Sequence, residues 1–163
     1  MTAEQYRYPY LDSSVFIAWL KGEFVQGVDR KEVADHILGS AKRGKFRICI
    51  SALTLAEVHK KRGHERLTED EDTEILRFFE HDYIDVMSVD RLIGEQAHLC
   101  CRQYALSPAD GIHLACALRG NCDILLSWDD ALNSVSHPRI RCAQPRMLGQ
   151  LNLDVERDIE SRK

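Results

Sequence analysis

Short apolar runs alternate with longer stretches in which apolar residues recur every three or four positions, and the alternation continues along the chain. The pattern predicts a strand over residues 8–11 and a helix over 13–21. Val33, Ala34, Ile37, Leu38 and Ala41 form one stripe of a helix over 30–43, closed by Gly44. Phe46-Arg47-Ile48-Cys49-Ile50 reads as a strand ending at Ser51, a good N-cap for a helix over 52–62. An acidic amphipathic helix is expected over 68–80, with Ile75, Leu76, Phe78 and Phe79 inward. A strand over 83–89 and a long helix over 91–104 follow. Ser107-Pro108 opens another helix, since proline is favoured at the first helical position, and Gly120-Asn121 ends it. Strands over 123–127 and 139–143 and a Pro145-led helix complete the unit. Strands separated by helices imply βαβ crossovers, hence an α/β fold with a parallel β-sheet flanked by helices on both faces.

Length fits one domain: 163 residues bury a proper core once but not twice, and residues 1–150 are read as that domain, with 151–163 a charged C-terminal extension. The apolar run over 15–20 is too short to span a bilayer, and the start carries no basic segment leading into an apolar core, so a cytoplasmic protein without membrane association is expected. Six cysteines include no C-x-x-C pair, and a reducing compartment disfavours disulfides. The i,i+3 spacings His98–Cys101 and His113–Cys116 do not match the ligand patterns of structural zinc, so the cysteines read as core residues. A net charge of −4 excludes broad electrostatic adhesion to nucleic acid without excluding a nucleic-acid substrate. Lys60, Lys61, Arg62 and Arg66 concentrate positive charge locally. They are candidates for a phosphate backbone, and equally for a solvated helix end that favours the dipole.

The chemistry lies in four acids placed where predicted strands give way to helices: Asp12, Glu57, Asp110 and Asp129. The carboxyl ends of parallel strands share one edge, and ligands bind there. Asp12 could cap the helix it precedes, but Ser13 and Ser14 could do so without an acid. Asp110, three residues after Ser107, fits a capping box and taken alone reads as structural. Glu57 stands among Leu53, Leu55, Ala56 and Val58, where an unpaired charge is costly, so a metal ion or a basic partner is expected to compensate it. Asp130 repeats the fourth acid, and Asp123, before the same strand, falls at the opposite edge, roughly 15–20 Å away at ~3.3 Å per residue. Two like charges ~4 Å apart repel by about 4 kcal/mol at an effective dielectric of ~20, so converging acids call for a cation or a shifted proton. An all-oxygen set suits Mg²⁺ or Mn²⁺, which polarises a phosphodiester and activates a water. His113, on an apolar helix, reads as a packed core residue, while Trp128 either stacks on a base or packs on a neighbouring loop.

Four segments together resemble the PIN domain family. They are Tyr10-Leu11-Asp12-Ser13-Ser14-Val15-Phe16-Ile17, the Ser51-opened helix bearing Glu57, Ser107-Pro108-Ala109-Asp110 with its apolar helix through Ala117, and Ile124-Leu125-Leu126-Ser127-Trp128-Asp129. They occur in family order, from about residue 8 to 148. Gly111 stands where the family more often has Ala. The resemblance implies an Mg²⁺- or Mn²⁺-dependent endoribonuclease with Asp12, Glu57, Asp110 and Asp129 as catalytic metal ligands. Ser14, Ser127 and Asp130 support them, and the spacing from Ser127 favours Asp129 over Asp130. Small stand-alone members are VapC-type toxins, so the implied partners are an RNA substrate and a small antitoxin protein inserting a basic residue among the acids. Its amphipathic segment would lie along the helices over 13–21 and 30–43, and a homodimer is expected. Alternatives are a housekeeping RNA-processing nuclease and a non-catalytic binding module of the same fold. A phosphohydrolase with an aspartyl nucleophile commonly needs a second acid where this chain has Ser14.

Overall fold

The computed structural model describes residues 6–59 and 66–147. Five short strands, β1 (Pro9–Leu11), β4 (Ile48–Ser51), β5 (Ile84–Met87), β6 (Ile124–Leu126) and β7 (Arg141–Ala143), form a wholly parallel sheet in the order β5-β4-β1-β6-β7. From the central β1 the chain builds outward to β4 and β5, then crosses to the other side for β6 and β7. The order therefore reverses between β1 and β6, the kind of crevice where open α/β sheets hold ligands.

Alternation along each strand sends side chains into two cores. Leu11, Ile48, Ile50, Ile124 and Leu126 face one layer, with helices α1 (Ser13–Lys21), α2 (Arg30–Lys42) and α4 (Glu69–Phe78). Tyr10, Cys49 and Leu125 face the other, with α5 (Arg91–Tyr104) and α6 (Pro108–Arg119). Burial on both faces is why these strands read as continuous apolar runs. In the first layer Phe16 is clasped edge-on by Phe79 and Phe78, with centroids 5.1 and 6.4 Å away. Burying one such ring contributes roughly 1.5–3 kcal/mol, before any geometric term.

Helix starts follow the sequence closely, because oxygen-bearing residues stand at each N-cap: Asp12, Asp29, Ser51, Thr68, Asp90 and Ser107. Thr68 and Glu71 close a reciprocal capping box. The expected bounds of α1 and α5 match the structure, but three expectations need correction. Helix α3 (Ala52–Glu57) stops at Glu57 rather than at residue 62, because buried Val58 leaves the helical region at φ −87° and ψ 75°. Leu76 is turned outward, 51% exposed, since Ile75, Phe78 and Phe79 already supply the inward stripe of α4. Residues 144–147 carry no helix; the rest of the expected Pro145-led helix, and the charged extension, lie outside the described residues.

Two small elements escaped the pattern. Strands β2 (Phe24–Val25) and β3 (Val28–Asp29) pair as a hairpin whose turn residues Gln26 and Gly27 have φ of 51° and 79°, the left-handed conformation that two-residue hairpin turns require. Helix α7 (Asp130–Asn133) is a single turn after β6.

Gly111 has a packing explanation. A methyl group there would overlap Cys101 Sγ and lie 2.9 Å from the Ala97 carbonyl oxygen, so α5 and α6 meet at a contact without room for Cβ. Gly111→Ala is expected to lower stability by about 1–3 kcal/mol despite the better helix propensity of alanine. Urea denaturation checks this; an unchanged or raised midpoint would show that the two helices separate freely.

Candidate active site

Register places the acids. Leu11 pairs with Leu126 and Tyr10 with Cys49, both in parallel register, so the residues that follow β1, β4 and β6 emerge along one edge. Asp12 is the first, and it is 97% buried because it turns inward between β1 and β6. Its Oδ1 accepts the Ser14 amide at 2.9 Å and the Ser14 hydroxyl, and its Oδ2 accepts the Ser127 hydroxyl at 2.7 Å. Burial pushes its carboxyl above the usual range, against the opposing pull of His113 and these donors. The expectation that Ser13 or Ser14 would free Asp12 from capping is corrected: Asp12 is the N-cap of α1, and Ser13 is occupied elsewhere.

Ser14 and Ser127 tie the neighbouring segments together. The Ser127 hydroxyl accepts the Asp129 amide at 2.9 Å, and the Ser14 hydroxyl accepts the Trp128 amide at 2.9 Å. Asp129, half-buried, caps α7 by accepting the Ala131 amide at 2.8 Å, while Asp130 next to it is exposed. The Arg30 guanidinium, at the start of α2, lies over the Trp128 ring, 4.5 Å from its centroid.

Asp110 occupies the first turn of α6, its amide accepted by the Ser107 hydroxyl at 3.2 Å. Burial raises its carboxyl, and the charges of Asp129 and then Asp12 raise it further. Asp129 and Asp12 therefore stand close enough for their charges to reach Asp110.

Glu57 enters from the other side, as the last residue of α3. The compensation its charge was expected to need is within the chain. Ser13 donates its hydroxyl to Oε2, and His113 Nε2 lies 3.0 Å from Oε1. Burial acts to raise the Glu57 carboxyl, but the bonds from His113 and Ser13 together outweigh it and leave the group below its usual range. His113 is 99% buried, and its Nδ1 lies 2.7 Å from the Tyr10 hydroxyl. Tyr10, Ser13 and the imidazole link to Glu57 were not legible as site residues. Two hints were present: Tyr10 precedes Asp12 by two, and His113 follows Asp110 by three, one helical turn along.

Asp123 sits at the far edge, as expected, accepting the Tyr8 and Arg7 amides at 2.6 and 3.1 Å. Lys60, Lys61 and Arg62 lie outside the described residues, and Arg66 is exposed. The donor chemistry fits a hard divalent cation: carboxylate oxygens, with the charges of Asp129 and Asp12 raising the Asp110 carboxyl, a repulsion that a cation would relieve. As the side chains stand, no three acid, imidazole or thiol groups among the described residues gather at a common ion position.

No curated protein sequence matches the chain. Among solved structures, a toxin–antitoxin complex from Klebsiella pneumoniae is similar at a TM-score of 0.59 and 15% identity, over 86% of this chain and 99% of that one. VapBC2 from Rickettsia felis, bound to a DNA fragment from its promoter, is similar at 0.57 and 14%, over 84% and 98%. The PIN domain profile matches residues 10–138, which include all four acids and the sheet from Tyr10 of β1 through β6, and the chain belongs to the PIN domain family.

Proposed function

We propose that this PIN domain is a divalent-metal-dependent endoribonuclease and the toxin of a toxin–antitoxin pair. The observation that carries the catalytic part is that Asp12 and Asp129 are both held by the Ser127 hydroxyl where the strand order reverses, with their charges reaching the Asp110 carboxyl. Such a cluster is stable when a cation shares the charge. Asp12, Asp110, Asp129 and Glu57 are the residues that would hold Mg²⁺ or Mn²⁺, directly or through water. A bound ion would supply charge stabilisation on the scissile phosphate and a more acidic water. Ser14 and Ser127 orient the Asp12 carboxylate, and Ser127 also sets the Asp129 backbone. Exposed Arg66, with Lys60, Lys61 and Arg62, is the candidate contact for the RNA backbone.

An antitoxin is supported by what the similar solved structures are: a toxin–antitoxin complex and a VapBC pair. Beside the surface expected along α1 and α2, the fold offers such a partner a second one. An open apolar groove of about 510 Å³ lies between α1 and α4, floored by Phe16, Trp19, Leu20 and Phe78 and flanked by Glu71 and Glu74. Its shape and acidic rim suit a basic amphipathic segment, whose Arg or Lys would continue to the carboxylates. A homodimer remains part of the proposal.

Asp12→Asn keeps the cap and the shape while removing a charge whose burial is unfavourable. A carboxyl raised on folding loses stability as pH climbs from its unfolded to its folded value, so at neutral pH the variant is expected to be at least as stable as the parent. Its RNA cleavage with Mn²⁺ is expected to fall by more than about a hundredfold, the upper end of what losing a supporting group alone costs. Undiminished cleavage, or cleavage in excess chelator, would overturn the metal mechanism. Asp129→Asn is expected to lose far more activity than Asp130→Asn, because Asp129 is held by Ser127 and Asp130 faces solvent; the reverse order would transfer the role to Asp130. In cells, expression of the chain alone is expected to arrest growth and Glu57→Gln to relieve the arrest. Normal growth with abundant, RNA-cleaving protein would favour a housekeeping nuclease.

A further inference from the structure

A chain of hydrogen bonds runs through the protein interior and ends on Glu57. The Tyr10 hydroxyl lies 2.7 Å from His113 Nδ1, and His113 Nε2 lies 3.0 Å from Glu57 Oε1. Ser13 donates to the other carboxylate oxygen. Tyr10 is fully buried and His113 nearly so, which leaves water little part in either contact.

Donor and acceptor roles in this chain satisfy one another in a single direction. An ionised carboxylate only accepts, so Nε2 must carry a proton to bond Glu57. A neutral imidazole then has an acceptor at Nδ1, and the phenol is the donor it needs. With phenylalanine at position 10, the carboxylate would still call for Nε2–H, but the buried Nδ1 acceptor would lose its partner and the ring would be held from the Glu57 side alone.

From this we infer that Tyr10 is a positioning residue for the acidic site, acting through His113: its hydroxyl anchors the imidazole at Nδ1, and the opposite Nε2–H together with Ser13 holds Glu57 in place before any cation arrives. The inference rests on reading Glu57 as part of the site. It gives β1 two duties, since the strand delivers Asp12 itself and, one pleat earlier on the same face, the phenol that sets the opposite acid.

The test uses the full-length, metal-free protein. Long-range ¹H–¹⁵N spectra show which imidazole nitrogen of His113 is protonated, with His113→Gln identifying the resonances. The parent is expected to carry the proton on Nε2 alone, and Tyr10→Phe to shift the Nδ1 resonance as the phenol's bond is lost, with circular dichroism confirming the fold. Calorimetric Mn²⁺ affinity is expected to fall about tenfold in Tyr10→Phe, the scale of losing an outer supporting group. In a His113→Gln background, where the ring nitrogen that Tyr10 bonds is absent, Tyr10→Phe is expected to change affinity by about twofold or less. A parent imidazole protonated on Nδ1, or on both nitrogens, overturns the inference. So does a Tyr10→Phe protein with an unaltered imidazole spectrum or unaltered Mn²⁺ affinity. Imidazole spectra as expected in a parent protein that binds no Mn²⁺ would overturn the metal chemistry and leave the anchoring of His113 standing.

Discussion

A carboxylate buried at the end of a β-strand is costly unless donors meet both its oxygens, and at Asp12 those donors come from two neighbouring strand ends. Ser14 follows β1 and Ser127 follows β6, so satisfying Asp12 fixes how the two segments leave the sheet. Trp128 and Asp129 then take their positions from backbone bonds to the same two hydroxyls. The start of α1, the approach to α7 and the reversal of strand order are thus joined at one side chain. The apolar layers supply most of the stability, but they would tolerate small shifts of these strand ends; the bonds to Asp12 would not.

The acids are embedded in the fold's own grammar. Asp12 and Asp129 cap helices, and Asp110 sits in the first turn behind the Ser107 cap. Carboxylates are favourable at helix N-termini, which offsets part of the repulsion from bringing several together. Structural and chemical roles for these residues are therefore not rivals. The helix ends that a parallel sheet delivers to one edge are where acids are least costly to hold.

Much of this was legible in the sequence, for reasons that can be named. Strands buried on both faces appear as apolar runs, helix starts carry Ser, Thr or Asp, and the bounds of α1 and α5 followed from those signals alone. What stayed hidden depended on contacts distant in sequence. Helix α3 ended early because Val58 turns into the core. The hairpin escaped because its strands have two residues each and its turn begins with Gln26 rather than Asn or Asp. Glu57 was recognised as an acid in need of a partner, but its partners lie 44 and 56 residues away, at Ser13 and His113. No periodicity encodes such a pairing.

The two tryptophans occupy informative places. Trp128 lies under the Arg30 guanidinium with its backbone bonded to Ser14, beside the acids. Trp19 lines the α1–α4 groove, 5.1 Å from the Phe78 ring, with its indole nitrogen donating to Asp35 at 2.7 Å. Indole emission responds to nearby charge and to loss of water, so the chain carries an intrinsic optical reporter at each of its two candidate surfaces. With one tryptophan replaced by phenylalanine, the remaining emission reads a single surface. Ion binding at the acids and docking in the groove become separately observable in unlabelled protein.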